Sequence, residues 1–314
     1  MTKTAFLFPG QGSQSVGMMS ALAQEHTEVK TTFDQASEIL GYDLWTLVAD
    51  GPAEELNRTE ITQPAMLVSG IATWRVWLAA GGRLPDYFAG HSLGEYSALV
   101  AAGVMTFEDA VGLVAARGRY MQEATPAGTG AMAAVLGLED QQLRDICDQA
   151  QQGQVVACAN FNSPGQVVIS GDKEAVARAG ELANEAGARR VLPLPVSVPS
   201  HCLLMKSSAS RLQKLLLGIR LSDGNAPVIQ NADVVAYADA EQIREALARQ
   251  LWQPVRWTET IEFLVESGVE KFIECGPGKV LAGLNRRISR QPTVFALTDN
   301  DGLQKAIAAG SDNE

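Results

Sequence analysis

A chain of 314 residues can form one large domain with an insertion, or two domains, and 46% hydrophobic against 19% charged residues suits a core-forming globular protein. Its 25 basic and 36 acidic residues leave a net charge of −11, which excludes a general nucleic-acid binder and requires any acidic partner to find a local basic patch. Four scattered cysteines (Cys147, Cys158, Cys202, Cys275) without a C-x-x-C pair read as reduced thiols, so neither a metal site nor a cofactor is expected; with no charged leader and no long uninterrupted apolar run, a cytoplasmic protein without a membrane span is expected.

Ala5 to Phe8 reads as a buried strand ending at the glycine-rich turn Pro9-Gly10-Gln11-Gly12-Ser13. That turn lacks the Gly-Lys-Ser/Thr of a phosphate loop. It reads either as a tight strand-to-helix connection or as backbone N–H groups facing a site at the carboxyl end of the strand, where open α/β sheets bind ligands. Helices are expected over Ser15 to Ala23, over Thr32 to Leu40 with Gly41 at the C′ position, and over Pro64 to Ala80. In the third, Pro64 is placed at the first helical position and Leu67, Ile71, Trp74 and Leu78 form an apolar stripe.

Gly90-His91-Ser92-Leu93-Gly94 has the spacing of a nucleophile elbow, between a strand over Asp86 to Ala89 and a helix over Glu95 to Ala102. The serine there takes a strained conformation, and its neighbours two residues away must be small for strand and helix to approach. Thr106-x-x-Asp109 then starts a capped helix running to about Glu123. Arg117 lies on the apolar face that Ala110, Leu113, Val114 and Met121 define, while Arg119 points elsewhere. A guanidinium on a core-facing stripe needs an anion. Two candidates stand: a buried Asp or Glu, or a substrate carboxylate held bidentately.

From Pro126-Ala127-Gly128-Thr129-Gly130 the pattern changes. It runs strand (Ala131 to Leu136), helix (Glu139 to Gln151), strand (Val155 to Asn160), turn (Asn162 to Gly165), strand (Gln166 to Ser170), helix (Lys173 to Ala186), strand (Arg190 to Val196). This β-α-β-β-α-β order is ferredoxin-like and reads as an inserted small domain, 127–197, with no obvious catalytic constellation. The larger domain, 1–126 and 198–314, resumes with the loop Val198-Pro199-Ser200-His201-Cys202. Helices over Lys206 to Leu217, Glu241 to Gln250, Trp257 to Ser267 and from Val280, and strands over Pro227 to Gln230 and Lys271 to Glu274, complete it; Gly276-Pro277-Gly278 is a strand-to-helix turn, and the tail from Ser311 is polar.

A serine hydroxyl needs a base. Of three histidines, His26 reads as a surface residue near the end of an early helix, and His91 as a buried structural residue pointed away from Ser92 by the elbow. His201, on a loop, is the best-placed base. No acid between Ser92 and His201 stands out as a third member, which counts against a plain esterase; a carbonyl could orient the imidazole instead.

Together, Phe8-Pro9-Gly10-Gln11-Gly12, Gly90-His91-Ser92-Leu93-Gly94-Glu95, Arg117, Pro199-Ser200-His201 and Gly276-Pro277-Gly278-Lys279 resemble the malonyl-CoA:acyl-carrier-protein transacylases of type II fatty-acid synthesis, over nearly the whole chain. The resemblance implies Ser92 as nucleophile, His201 as base, Arg117 as clamp on a malonyl carboxylate, and backbone N–H groups of Gln11 and Leu93 as oxyanion donors. It also implies that the main-chain carbonyl of Gln250 orients His201. The implied fold is α/β, an α/β-hydrolase-like large domain with the ferredoxin-like small one. The implied reaction is ping-pong transfer from malonyl-CoA to acyl carrier protein, by a monomer using no metal or cofactor. Arg189, Arg190, Lys206, Arg211, Lys279, Arg286 and Arg287 are candidates for docking the acidic carrier. A thioesterase or carboxylesterase would share Ser92 and His201 but not need Arg117. An acyltransferase serving a polyketide synthase or a malonate decarboxylase would share every residue, and a silent scaffold need not keep all three.

Overall fold

The computed structural model describes residues 2–126, 128–196 and 198–311. The expected domain junctions at 127 and 197, and the last residues of the polar tail, 312–314, lie outside them. The chain begins β1 (Lys3–Phe8), α1 (Ser20–Ala23), α2 (Thr27–Leu40), α3 (Leu44–Ala49), α4 (Ala53–Leu56), α5 (Thr59–Ala79), β2 (Tyr87–Gly90), α6 (Gly94–Ala101) and α7 (Phe107–Glu123). It continues β3 (Gly130–Leu136), α8 (Asp140–Ala150), β4 (Val156–Ser163), β5 (Gln166–Asp172), α9 (Lys173–Glu185) and β6 (Arg190–Pro193). It closes with α10 (Lys206–Leu216), β7 (Val228–Ile229), α11 (Ala240–Gln250), α12 (Trp257–Glu266), β8 (Val269–Glu274), α13 (Val280–Ile288), β9 (Thr293–Ala296) and α14 (Asn300–Ser311).

The result is a mixed α/β fold with two sheets. The first is parallel, in the order β7-β2-β1-β8-β9. Side chains alternate across it: Phe6 and Phe8 enter one apolar cluster, Ala5 and Leu7 another on the opposite face. Both faces are covered by helices, as parallel sheets require. Phe6 meets Trp74 and Trp77 of α5 edge-on, with ring centroids 5.1 and 5.0 Å apart, so the tryptophan stripe is core. The second sheet is antiparallel, in the order β4-β5-β3-β6. Helices α8 and α9 cover one of its faces; Met132, Ala159 and Val168 form a smaller cluster on the other. The second sheet is tied to the segment between α11 and α12 by hydrogen bonds: Phe161 N–H donates to Val255 O at 2.9 Å and Val255 N–H to Ala159 O at 2.9 Å.

Several elements differ from the sequence reading. Helix α5 begins at Thr59, so Pro64 lies inside it rather than at its first position. Pro64 costs one hydrogen bond to the carbonyl four residues back. Packing carries the helix through: α5 lies so close to α7 that a Cβ on Gly118 would stand 2.8 Å from Glu60 Cα. Leu78, assigned to the apolar stripe, is 42% exposed, because the stripe runs out where α5 leaves the core. Helix α1 is confined to Ser20–Ala23, since Gly17 turns the backbone to φ +82° ahead of it. Strand β4 runs through Asn162 and Ser163 and turns only at Pro164-Gly165; β6 stops at Pro193, with Pro195 unable to donate to the ladder. Helices α3, α4 and α14 and the edge strand β9 were not foreseen.

Among the described residues, no helix is long and apolar enough to cross a membrane, and no group of three or more His, Cys, Asp and Glu side chains is placed to hold a metal ion. The four cysteines are free and buried.

Candidate active site

The parallel strands end along one edge of the sheet, with Phe8 of β1 beside Gly90 of β2 and Leu7 beside Glu274 of β8. The loops leaving that edge carry Gln11, Ser92 and Asn231. Ser92 sits at φ +52°, a left-handed conformation that a serine adopts only under constraint. The glycines around it are steric necessities. A Cβ on Gly90 would stand 2.0 Å from the Gly94 carbonyl oxygen, and one on Gly94 would stand 2.0 Å from the Phe8 carbonyl oxygen. Strand β2, helix α6 and strand β1 therefore meet backbone to backbone at the elbow.

Ser92 Oγ lies 2.8 Å from His201 Nε2. His201 Nδ1 lies 2.7 Å from the main-chain oxygen of Gln250, so Nδ1 carries the proton and Nε2 accepts from the serine. His201 is buried and also has positive φ, +60°. Burial first, then the neighbouring Arg117 charge, push its imidazole down to about 3, against an upward pull from the Gln250 carbonyl. It is thus neutral at physiological pH.

Arg117 projects from α7 and is 1% exposed. Its Nη1 donates to Gln63 Oε1 at 2.7 Å; its Nη2 donates to Gln250 Oε1 at 3.0 Å and to Ser92 Oγ at 3.3 Å. Its guanidinium lies 5.4 Å from the Tyr96 ring centroid, and Nε has no hydrogen-bond partner. No salt bridge to Arg117 forms among the described residues. Of the two expected anions, the buried ion pair is therefore not formed. Glu95, fully buried on α6, acts on Arg117 only as a background field. Burial lifts the Glu95 carboxyl to about 7.

Ser92 is held by two side-chain amides. Asn231 Oδ1 accepts the Ser92 N–H at 2.6 Å, and Gln250 Nε2 donates to the Ser92 carbonyl at 2.9 Å. Gln250 thus touches Ser92, His201 and Arg117 at once, through its side chain and its carbonyl.

Ser92, His201, Arg117, Gln11 and Leu93 line one cleft of about 170 Å³. Its opposite wall comes from the antiparallel sheet and the chain that follows: Met132, Asn160, Asn162, Val168, Leu194 and Val196. That sheet, read as carrying no constellation, supplies four of the wall's residues, Met132, Asn160, Asn162 and Val168. His91, expected to be buried, is half-buried at the wall of this cleft, with Nε2 2.8 Å from Asn162 Oδ1. His26 stands just past the end of α1 as expected, its N–H donating to Leu22 O at 2.9 Å, but it is half-buried and sits at the N-cap of α2. Gln63 and Asn231 were missed. Neither left a trace: Gln63 is one of several polar residues in α5, and Asn231 lies in a loop.

The "Acyl transferase domain" family model matches residues 5–307, and the chain belongs to this acyl transferase family. More particularly, it is 55% identical over 307 residues to the malonyl CoA-acyl carrier protein transacylase of Salmonella typhimurium, covering 98% of this chain and 99% of that one. An acyl carrier protein S-malonyltransferase of known structure from Vibrio cholerae is 56% identical, with a TM-score of 0.95 over 97% of this chain and 100% of that one. A malonyl-transacylase solved in complex with its type II PKS acyl-carrier protein is 53% identical, with a TM-score of 0.97 over 98% of this chain and 100% of that one.

Proposed function

We propose that the protein moves a malonyl group from malonyl-CoA to the phosphopantetheine thiol of acyl carrier protein, through a malonyl ester on Ser92, for fatty-acid synthesis in the cytoplasm. Ser92 Oγ attacks the thioester carbonyl and passes its proton to His201 Nε2. The backbone N–H groups of Gln11 and Leu93 hold the oxyanion of the tetrahedral intermediate. The C–S bond breaks, and the CoA sulfur leaves with the proton from His201. The carrier thiol then gives its proton to His201 and attacks the ester; the C–O bond breaks and His201 returns the proton to Ser92 Oγ. Gln250 keeps the imidazole in the required tautomer through its carbonyl, the task an acid performs in many serine hydrolases.

The observation that carries this reading is the Arg117 guanidinium: buried, held only by neutral groups, and 3.3 Å from the attacking oxygen. A buried cation without a counter-ion is costly. A malonyl carboxylate esterified nearby would supply one, and an acetyl group would not. We read the two-sheet architecture as an α/β-hydrolase-like domain, 1–126 and 198–314, with a ferredoxin-like domain, 127–197. The strand order β4-β5-β3-β6 and the separate apolar cluster under α8 and α9 support that division. The second domain closes the cleft over the ester and disfavours water.

Radiolabelled malonyl-CoA tests the reading. Label should stay on Ser92 in buffer and leave when carrier protein is added; rapid loss to water would mean a hydrolase. Arg117→Ala should reduce malonyl transfer by about 10²–10³-fold, the worth of a buried charge-assisted pair. Acetyl transfer should fall far less, and equal losses on both would remove the clamp assignment.

A further inference from the structure

The ladder between β2 and β7 ends at the pair Ala89–Ile229, one residue short of the elbow. Beyond it Ser92 turns to φ +52°, where no neighbouring strand can follow. The side chain of Asn231 takes over. Its Oδ1 accepts the Ser92 N–H at 2.6 Å and its Nδ2 donates to the Gly90 carbonyl at 2.6 Å. One carboxamide thus pairs with both ends of the Gly90–Ser92 segment, as a strand would.

Asn231 is itself fixed from two sides. Its N–H donates to Glu95 Oε2 at 2.7 Å, and its carbonyl accepts the Arg256 N–H at 3.1 Å. Glu95 lies in the first turn of α6, three residues after Ser92, so the chain closes a ring: Ser92, Asn231, Glu95 and back to Ser92. Every contact in the ring is buried or nearly so. A strained serine persists only where its surroundings over-determine it. The fork also selects the residue type. Alanine would leave a donor and an acceptor unpaired, and aspartate would set an oxygen against the Gly90 carbonyl and a second carboxyl beside Glu95.

We propose that Asn231 is a positioning residue for acyl transfer, with Glu95 as its anchor: it holds the Gly90–Ser92 backbone so that Ser92 Oγ faces His201 and the Leu93 N–H faces the developing oxyanion. The inference rests on Ser92 being the nucleophile. Asn231 makes no contact with Arg117, so it serves charged and uncharged acyl donors alike.

The test compares wild type, Asn231→Ala, Asn231→Asp and Glu95→Gln by the burst of Ser92 acylation, read by intact mass, with malonyl-CoA and with the uncharged ester p-nitrophenyl acetate. Asn231→Ala should slow both bursts by the same factor, about 100-fold, with KM for malonyl-CoA changed less than about threefold. Asn231→Asp should be slowed on both donors as well, and it carries the test if the alanine variant does not fold. Glu95→Gln keeps an acceptor for the Asn231 N–H and should retain most of the rate. A wild-type burst in either folded Asn231 variant would overturn the proposal. So would a loss confined to malonyl-CoA, or one expressed only in KM. If wild-type Ser92 takes no malonyl label, the transfer reading fails, a result distinct from failure of the positioning role.

Discussion

At the scale of single residues, one buried charge, Arg117, sets the electrostatics around Ser92 and His201 where water cannot screen it. His201 is neutral because it is buried and because Arg117 repels its protonated form. A group whose folded value is depressed keeps its basic form as pH falls, until pH reaches that value. Acetyl transfer should therefore stay flat through pH 5, where an ordinary imidazole, with a pKa of about 6.5, would already be protonated. Arg117→Ala removes the repulsion, so the acid limb of kcat/KM for acetyl-CoA should move to higher pH. An unmoved limb would separate the two residues electrostatically. Under the proposed clamp, the same coupling favours malonyl twice: its carboxylate would meet the guanidinium and, by cancelling that charge, would make His201 more basic when the proton must move.

At the scale of elements, the site depends on how closely three of them approach. Gly90 and Gly94 are where β2, α6 and β1 touch, and Gly94→Ala would drive a methyl into the Phe8 carbonyl. It should destabilise the protein by about 3 kcal/mol or more, read from the denaturant midpoint. Gly112, in α7, provides the contrast, because a Cβ there meets nothing within 4 Å. Gly112→Ala should stabilise by about 0.5–1 kcal/mol, the helix-propensity difference alone. Both glycines lie in helices; what separates them is which element passes beside them.

At the scale of the whole molecule, two buried carboxyls couple stability to pH. Burial lifts Glu95 to about 7, and lifts Glu274 to about 7 even though its oxygens accept the N–H groups of Leu281 and Ala282 at 3.0 and 2.7 Å. In the unfolded chain each titrates near 4.5. Between those values the unfolded chain has lost protons that the folded chain retains, so stability falls as pH rises, by about 1.4 kcal/mol per pH unit for each group. The melting temperature should decline from pH 5 to 7 by this route. Glu274→Gln should remove about half of that decline, and an unchanged slope would show that Glu274 is already ionised at pH 5.

The elbow, the alternation of faces in β1, the capped start of α7 and the place of Arg117 on its buried face were all legible in the sequence, because each follows from local spacing and periodicity. So was the β-α-β-β-α-β order of the second sheet. The boundaries of α1, α5, β4 and β6 were not, because long-range packing decided whether Pro64 interrupts a helix and where β4 turns. Which anion Arg117 awaits was also beyond the sequence. Its helix shows that it points inward, and only the tertiary structure shows that Gln63 and Gln250 receive it while, among the described residues, no carboxylate does. Asn231 is the extreme case. It lies 139 residues from the serine it holds, and nothing in its own neighbourhood marks it. Local spacing wrote the elbow serine into the chain, whereas the groups that hydrogen-bond around it are assembled across the sheet edge and come together only once the strands have paired.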